Sequence, residues 1–80
     1  MTNVTLYSTG TCPYCVAAES LIKKRGITEI EKIRVDQSTA AFDEMINRSG
    51  RKSVPQIFIN EQHVGGFDDL VKFDAAGKLQ

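Results

Sequence analysis

The two cysteines of the chain, Cys12 and Cys15, are separated by two residues and are the side chains best suited to chemistry. A pair with this spacing serves as a structural disulfide, as half of a metal site or as a redox-active dithiol. A small disulfide-stabilised scaffold normally carries four or more cysteines, which disfavours the first role. A closed zinc site normally needs four Cys or His ligands, and His63 is the single histidine. We therefore expect no intramolecular metal site, although a metal or cluster shared between two chains stays open.

Composition and charge describe the setting in which these thiols work. The chain has 80 residues, which predicts a single domain over residues 1–80. Ten basic residues balance ten acidic residues, so we expect neither nucleic acid nor an anionic membrane as a partner. The first residues lack a signal-peptide pattern, and no apolar stretch is long enough to span a membrane. A cytoplasmic protein is expected.

Hydrophobic periodicity and turn residues divide the chain into seven predicted elements. The predicted order is strand, helix, strand, helix, two strands of a hairpin and a last helix. These segments are residues 3–8, 13–25, 29–36, 38–50, the hairpin 54–66 with its turn near residues 60–62, and 68–77. The order β-α-β-α-β-β-α predicts a four-stranded mixed sheet flanked by three helices, an α/β domain with the thioredoxin-like fold.

Apolar side chains mark one face of the first helix and the predicted core of the domain. The first helix carries an apolar stripe, and five further aromatic or aliphatic side chains are interpreted as core. The stripe is Tyr14, Ala17, Ala18, Leu21 and Ile22, and the further core residues are Tyr7, Phe42, Phe58, Leu70 and Phe73. In contrast, His63 is expected to face solvent from a hairpin strand.

The predicted frame distinguishes the two thiols from each other. Cys12 falls where the first loop turns into a helix, and Pro13 suits the first helical position because its missing N–H would have had no partner. Unpaired backbone N–H groups and the positive end of the helix dipole then stabilise a Cys12 thiolate. Cys15 lies one turn further in and is more shielded. This asymmetry favours one attacking thiol and one resolving thiol.

Three motifs in order carry a resemblance to a known family. They are "TCPYC" at 11–15, "SVPQIFI" at 53–59 and "GGFDDL" at 65–70. With this spacing the chain resembles the glutaredoxins, in particular their short bacterial dithiol type, almost from end to end. Thioredoxin fits poorly, because the dipeptide between the cysteines is Pro-Tyr rather than Gly-Pro.

The resemblance implies a role for each matching residue. Cys12 would be the nucleophile and Cys15 the resolving thiol. Pro55 would be a cis proline, and Val54 would offer its backbone groups to the cysteine of glutathione. The backbone N–H groups of the turn Gly66–Phe67–Asp68, which opens the last helix, would hold the γ-glutamyl carboxylate. The Asp68 side chain would hold the γ-glutamyl ammonium group. The implied glutathione-binding residues are Tyr14, Val54, Pro55, Gly66, Phe67 and Asp68.

The implied activity is glutathione-dependent thiol–disulfide exchange on protein–glutathione mixed disulfides and protein disulfides. Glutathione would be the co-substrate, with no tightly bound cofactor. The expected partners are glutathionylated or disulfide-containing proteins, with ribonucleotide reductase as one candidate client, and the protein is expected to act as a monomer.

One departure from the family and two alternatives remain. Related sequences commonly carry a cation where this chain has Thr9, and Arg51 or Lys52 would have to replace it in holding the glycyl carboxylate of glutathione. A redoxin reduced by thioredoxin reductase is one alternative, disfavoured by the "GGFDD" turn. An iron–sulfur cluster carrier is the other, and Pro13 disfavours it because cluster-binding relatives usually have Ser or Gly there.

Overall fold

Seven elements follow one another in the predicted order. The computed structural model describes residues 3–79. Its elements are β1 (Val4–Ser8), α1 (Pro13–Lys24), β2 (Ile30–Arg34), α2 (Thr39–Ser49), β3 (Gln56–Ile59), β4 (Gln62–Gly65) and α3 (Phe67–Ala75). Each lies within one or two residues of its predicted position. The ends of α2 also follow the sequence. The Ser38 hydroxyl oxygen caps its start by accepting a hydrogen bond from the Ala41 N–H, and Gly50 ends it with a φ of 73°.

The four strands form one mixed sheet in the order β2-β1-β3-β4. β1 is parallel to β2, to which α1 connects it, and antiparallel to β3. β3 and β4 form the predicted antiparallel hairpin. The predicted α/β architecture, with a four-stranded mixed sheet and three flanking helices, is therefore confirmed.

The sheet separates two hydrophobic clusters because alternate side chains of each strand point to opposite faces. Val4 and Leu6 of β1 join the larger cluster, with side chains from α1 and α3. Tyr7 of the same strand joins the smaller cluster, with Met45 of α2. Helices thus cover both faces, and the carboxyl end of β1 leads into the loop that carries Cys12.

The core predictions hold, and the apolar stripe of α1 is buried except at its first residue, Tyr14. Tyr7, Phe58 and Leu70 are buried, and Phe42 and Phe73 pack half-buried against the two clusters. Of the predicted α1 stripe, Ala18 and Ile22 are fully buried and Ala17 and Leu21 are half-buried. Tyr14, the first residue of the stripe and an expected site residue, is 63% exposed. Its ring instead lies against that of Phe67, with centroids 5.9 Å apart.

The prediction that His63 faces solvent is wrong. His63 is half-buried, and its Nε2 lies 2.8 Å from Oε1 of the fully buried Gln56. Its ring also contacts that of Phe58 at a centroid distance of 4.9 Å. Helix α2 packs against β4 and shields the face of this strand from which His63 was expected to reach solvent. Burial lowers the pKa of His63 below its usual value, and the positive charge of Arg51 adds to this effect.

Candidate active site

Cys12 is the N-cap residue of α1, as the sequence predicted. Its backbone is extended, with φ −120° and ψ 102°, and Pro13 occupies the first helical position. The Cys12 Sγ accepts a hydrogen bond of 3.2 Å from the Cys15 N–H. Its sulfur therefore takes the place that the side-chain oxygen of a usual N-cap residue has, where backbone N–H groups and the helix dipole favour negative charge.

Cys15 is the shielded member of the pair. It is 4% exposed, whereas Cys12 is half-buried, and both are free thiols. Burial raises the pKa of Cys15 to about 12, and its hydrogen bond with Cys12 adds to the rise. The expected asymmetry is present: one thiol faces the surface, and the other stays protonated beneath it.

A groove of about 360 Å³ contains all six residues that the resemblance assigned to glutathione. We call it the peptide groove. Its walls come from α1, from the segment before β3 and from the start of α3, which the fold brings together. It is lined by Tyr14, Arg51, Ser53, Val54, Pro55, Gly66, Phe67, Asp68 and Asp69. Cys12 does not line it, but Tyr14, two residues further along the chain, forms one wall.

The segment before β3 supplies the backbone of the groove. The peptide bond between Val54 and Pro55 is cis, as the resemblance implied. The register with β1 begins at Gln56, so the peptide groups of Val54 lie outside the sheet ladder. Gln56 donates from its side-chain amide to the Ser53 carbonyl at 3.0 Å and thereby ties this segment to the buried sheet.

The start of α3 differs in detail from the expectation. The Gly66 N–H was expected to be available to a ligand, but it donates to Asp69 Oδ2 at 3.1 Å. This hydrogen bond lowers the pKa of Asp69, and the Arg51 guanidinium lowers it further. The N–H groups of Phe67 and Asp68 have no acceptor within the helix, since they belong to its first turn. Of the three N–H groups of the predicted turn, Gly66–Phe67–Asp68, two therefore remain available to a ligand carboxylate.

Three residues that line the peptide groove, Arg51, Ser53 and Asp69, were not among the six predicted glutathione-binding residues. Arg51 had been named, together with Lys52, only as a replacement for the cation missing at position 9. Arg51 Nη1 lies 3.1 Å from Asp69 Oδ2, and its side chain is half-exposed. The spacing of Gly66 and Asp69, a helix cap followed by an acid three residues later, is the sequence signal that could have identified Asp69. Lys52 does not line the groove. Thr9 lies elsewhere too, in a small cavity beside Cys15.

Other features of the described chain bear on the remaining expectations. A larger depression of about 610 Å³ lies at the amino end of β1, lined by residues such as Asn3, Glu29 and Glu61. It contains neither thiol nor any predicted site residue. Among residues 3–79, no cluster of three His, Cys, Asp or Glu side chains is placed to hold a metal ion. None of the helices within this range is long and apolar enough to cross a membrane.

Comparisons with known proteins agree with this geometry. The family model described as glutaredoxin matches residues 4–64. Glutaredoxin 3 of Escherichia coli K12 is 48% identical over 79 residues, covering 99% of this chain and 94% of the relative. A Neisseria meningitidis glutaredoxin is 51% identical over 79 residues, covering 99% and 93%.

Solved structures lead to the same group of proteins. The crystal structure of a buckwheat glutaredoxin–glutathione complex is similar with a TM-score of 0.85 and 27% identity, covering 98% of this chain and 73% of that one. The solution structure of a Brucella melitensis glutaredoxin gives a TM-score of 0.82 and 42% identity, covering 99% and 85%.

Proposed function

The chain belongs to the glutaredoxin family of thiol–disulfide oxidoreductases, and we propose that it uses glutathione as its co-substrate. One observation carries this proposal: the six residues that the family resemblance assigned to glutathione line a single groove beside the dithiol. The buckwheat relative was crystallised with glutathione, which gives the proposal independent support.

The chemistry of the peptide groove suits a tripeptide with a charged group at each end. The first-turn N–H groups of α3 suit the γ-glutamyl carboxylate, and Asp68 suits the neighbouring ammonium group. The peptide groups of Val54 are free of the sheet and suit the central cysteine, in the manner of an added strand. Arg51, half-exposed at the groove, suits the glycyl carboxylate and takes the place of the cation missing at Thr9.

We infer the following reaction sequence. The Cys12 thiolate attacks a sulfur of the substrate disulfide, a Cys12 mixed disulfide forms, and the other substrate sulfur leaves as a thiolate. A glutathione thiolate then clears Cys12, or the Cys15 thiolate does so by forming the Cys12–Cys15 disulfide. In the second case, two glutathione molecules reduce that disulfide and leave as glutathione disulfide. Every step exchanges one sulfur–sulfur bond for another, so no bound cofactor takes part.

The proposal is tested by following reduction of a glutathionylated peptide with two reducing systems in parallel. One contains glutathione and glutathione reductase, and the other contains thioredoxin reductase. We expect turnover in the first and none in the second, with Cys12→Ser inactive in both. Turnover driven by thioredoxin reductase alone would contradict the glutathione assignment, and an active Cys12→Ser variant would contradict the assigned nucleophile. Freshly purified protein without visible absorbance would further disfavour an iron–sulfur carrier.

Two related statements rest on the same proposal. The clients are glutathionylated or disulfide-containing proteins, and ribonucleotide reductase is one candidate for direct assay. We also propose a cytoplasmic location, with which the two-cysteine composition is compatible, since disulfide-rich scaffolds belong to oxidising compartments.

A further inference from the structure

A second, smaller cavity lies behind the dithiol, on the side of Cys15. Its volume is about 30 Å³, which is room for one or two water molecules. It is lined by Leu6, Ser8, Thr9, Cys15, Val16, Glu19 and Lys32. The Ser8 hydroxyl is buried and has no hydrogen-bond partner among the described residues, and three further lining residues, Thr9, Glu19 and Lys32, are polar or charged. The cavity is therefore polar, although it adjoins the core.

Two charged side chains connect this cavity to solvent. Lys32 of β2 and Glu19 of α1 form an ion pair of 3.2 Å, with Lys32 about half exposed and Glu19 largely shielded. The second carboxylate oxygen of Glu19 pairs with Lys23, also at 3.2 Å, but Lys23 does not line the cavity. Lys32 thus carries its positive charge to the wall of the cavity that Cys15 also lines.

The buried thiol needs such a route. Cys15 must lose a proton before it can attack, yet burial favours its neutral form. The groups that act on its ionisation are Cys12 on the same helix, the backbone of Thr9, and Lys32 from β2, whose positive charge opposes the effect of burial. Once Cys12 is part of a mixed disulfide, it no longer carries a negative charge, and Lys32 is the cation that favours the Cys15 thiolate.

We propose that this cavity is the outlet through which Cys15 loses its proton when it resolves the mixed disulfide on Cys12, and that the positive charge of Lys32, held beside the cavity by Glu19, favours this loss. The proton passes through the cavity to solvent, and the Cys15 thiolate attacks Cys12. The new bond joins the two protein sulfurs, the bond from Cys12 to the substrate sulfur breaks, and that sulfur leaves with the electron pair. Lys32 is a positioning residue in this step. The inference rests on the proposed roles of the two thiols but not on glutathione.

The resolving step can be isolated with an aromatic disulfide whose thiolate absorbs visible light. Mixed rapidly with the reduced protein, it should release one thiolate as Cys12 reacts and a second as Cys15 resolves the adduct. For Lys32→Gln we expect the second phase to be about two- to fivefold slower near neutral pH, as for a partly exposed charge. The midpoint of the pH profile of that phase should move to higher pH by about 0.3–0.7 unit, which is the decimal logarithm of a two- to fivefold change.

Matched variants separate this role from a structural one. Lys23→Gln removes the same charge from the other oxygen of Glu19 and should keep the rate and the pH profile of the second phase. Lys32→Arg retains the charge and should restore both. Equal second phases in wild type and Lys32→Gln, or equal effects of the Lys23 and Lys32 variants, would overturn the role proposed for the Lys32 charge. A missing first phase would instead contradict Cys12 as the nucleophile, and this proposal with it.

Discussion

Replacing Arg51 by Gln tests how the peptide groove attracts its ligand. The guanidinium lines the groove, pairs with Asp69 at 3.1 Å and is half-exposed. Because water reaches the guanidinium, the dielectric constant of water is appropriate. Opposite unit charges about 4 Å apart then attract by about 1 kcal/mol, which screening reduces to about 0.7 kcal/mol at 0.1 M salt and about 0.3 kcal/mol at 1 M.

These energies predict a salt-dependent loss of affinity. KM for a glutathionylated peptide should rise about threefold in Arg51→Gln at 0.1 M salt and about 1.5-fold at 1 M, with kcat nearly unchanged. The measurement is initial-rate kinetics of both proteins at the two salt concentrations. Lys52→Gln is the matched control, because Lys52 is the adjacent cation but does not line the groove.

Two results would refute this reasoning. An unchanged KM at low salt would mean that Arg51 does not contact the ligand. A rise in KM that stays about threefold at 1 M salt would mean that the side chain acts by packing or by holding Asp69 in place, and the electrostatic explanation would fail.

Three further predictions concern single side chains. Cys15→Ser should keep turnover of glutathionylated peptides, which a second glutathione can clear, and lose most reduction of protein disulfides; equal loss on both substrates would contradict the resolving role. Asp68→Asn should raise KM about two- to fivefold with little change in kcat, because its exposed carboxylate would bind ground and transition states alike; unchanged kinetics would exclude the γ-glutamyl subsite. Burial lowers the pKa of His63 in the folded protein, so neutral His63 contributes fully to stability at pH values above its unfolded pKa of 6.5. This contribution should be lost as the pH falls through the lower pKa of the folded state. Urea unfolding should therefore show a steeper loss of stability in wild type than in His63→Gln as the pH falls below about 6.5, and parallel curves would contradict it.

The parts of the fold that depend on local sequence could be predicted, and those that depend on packing could not. Pro13 and the residues around it were enough to place Cys12 at a helix start, because helix capping depends on neighbouring residues. The environment of His63 could not be predicted, because α2, which lies far from it in sequence, contacts its strand. Tyr14 has the spacing of a core residue, but the helix at that point faces the groove rather than the sheet.

The same limit applies to the candidate site. The resemblance identified six residues of the peptide groove, because short motifs carry them. The contributions of Arg51 and Asp69 depend on an ion pair across 18 positions, and that of Lys32 on its placement on β2. Such contacts between residues that are distant in sequence depend on the tertiary structure and leave no local pattern in the sequence.

The two outer strands of the sheet have a consequence for the behaviour of the protein at high concentration. Unpaired strand edges can recruit strands from other molecules and start aggregation. β2, one outer strand, carries Glu31, Lys32 and Arg34 within five residues, and charges of this kind oppose pairing with a foreign strand. β4, the other, is four residues long and meets its neighbour with an irregular register between Ile57 and Phe58. Both edges thus carry features that discourage intermolecular β-pairing, which leaves the sheet free to function in a crowded solution without polymerising.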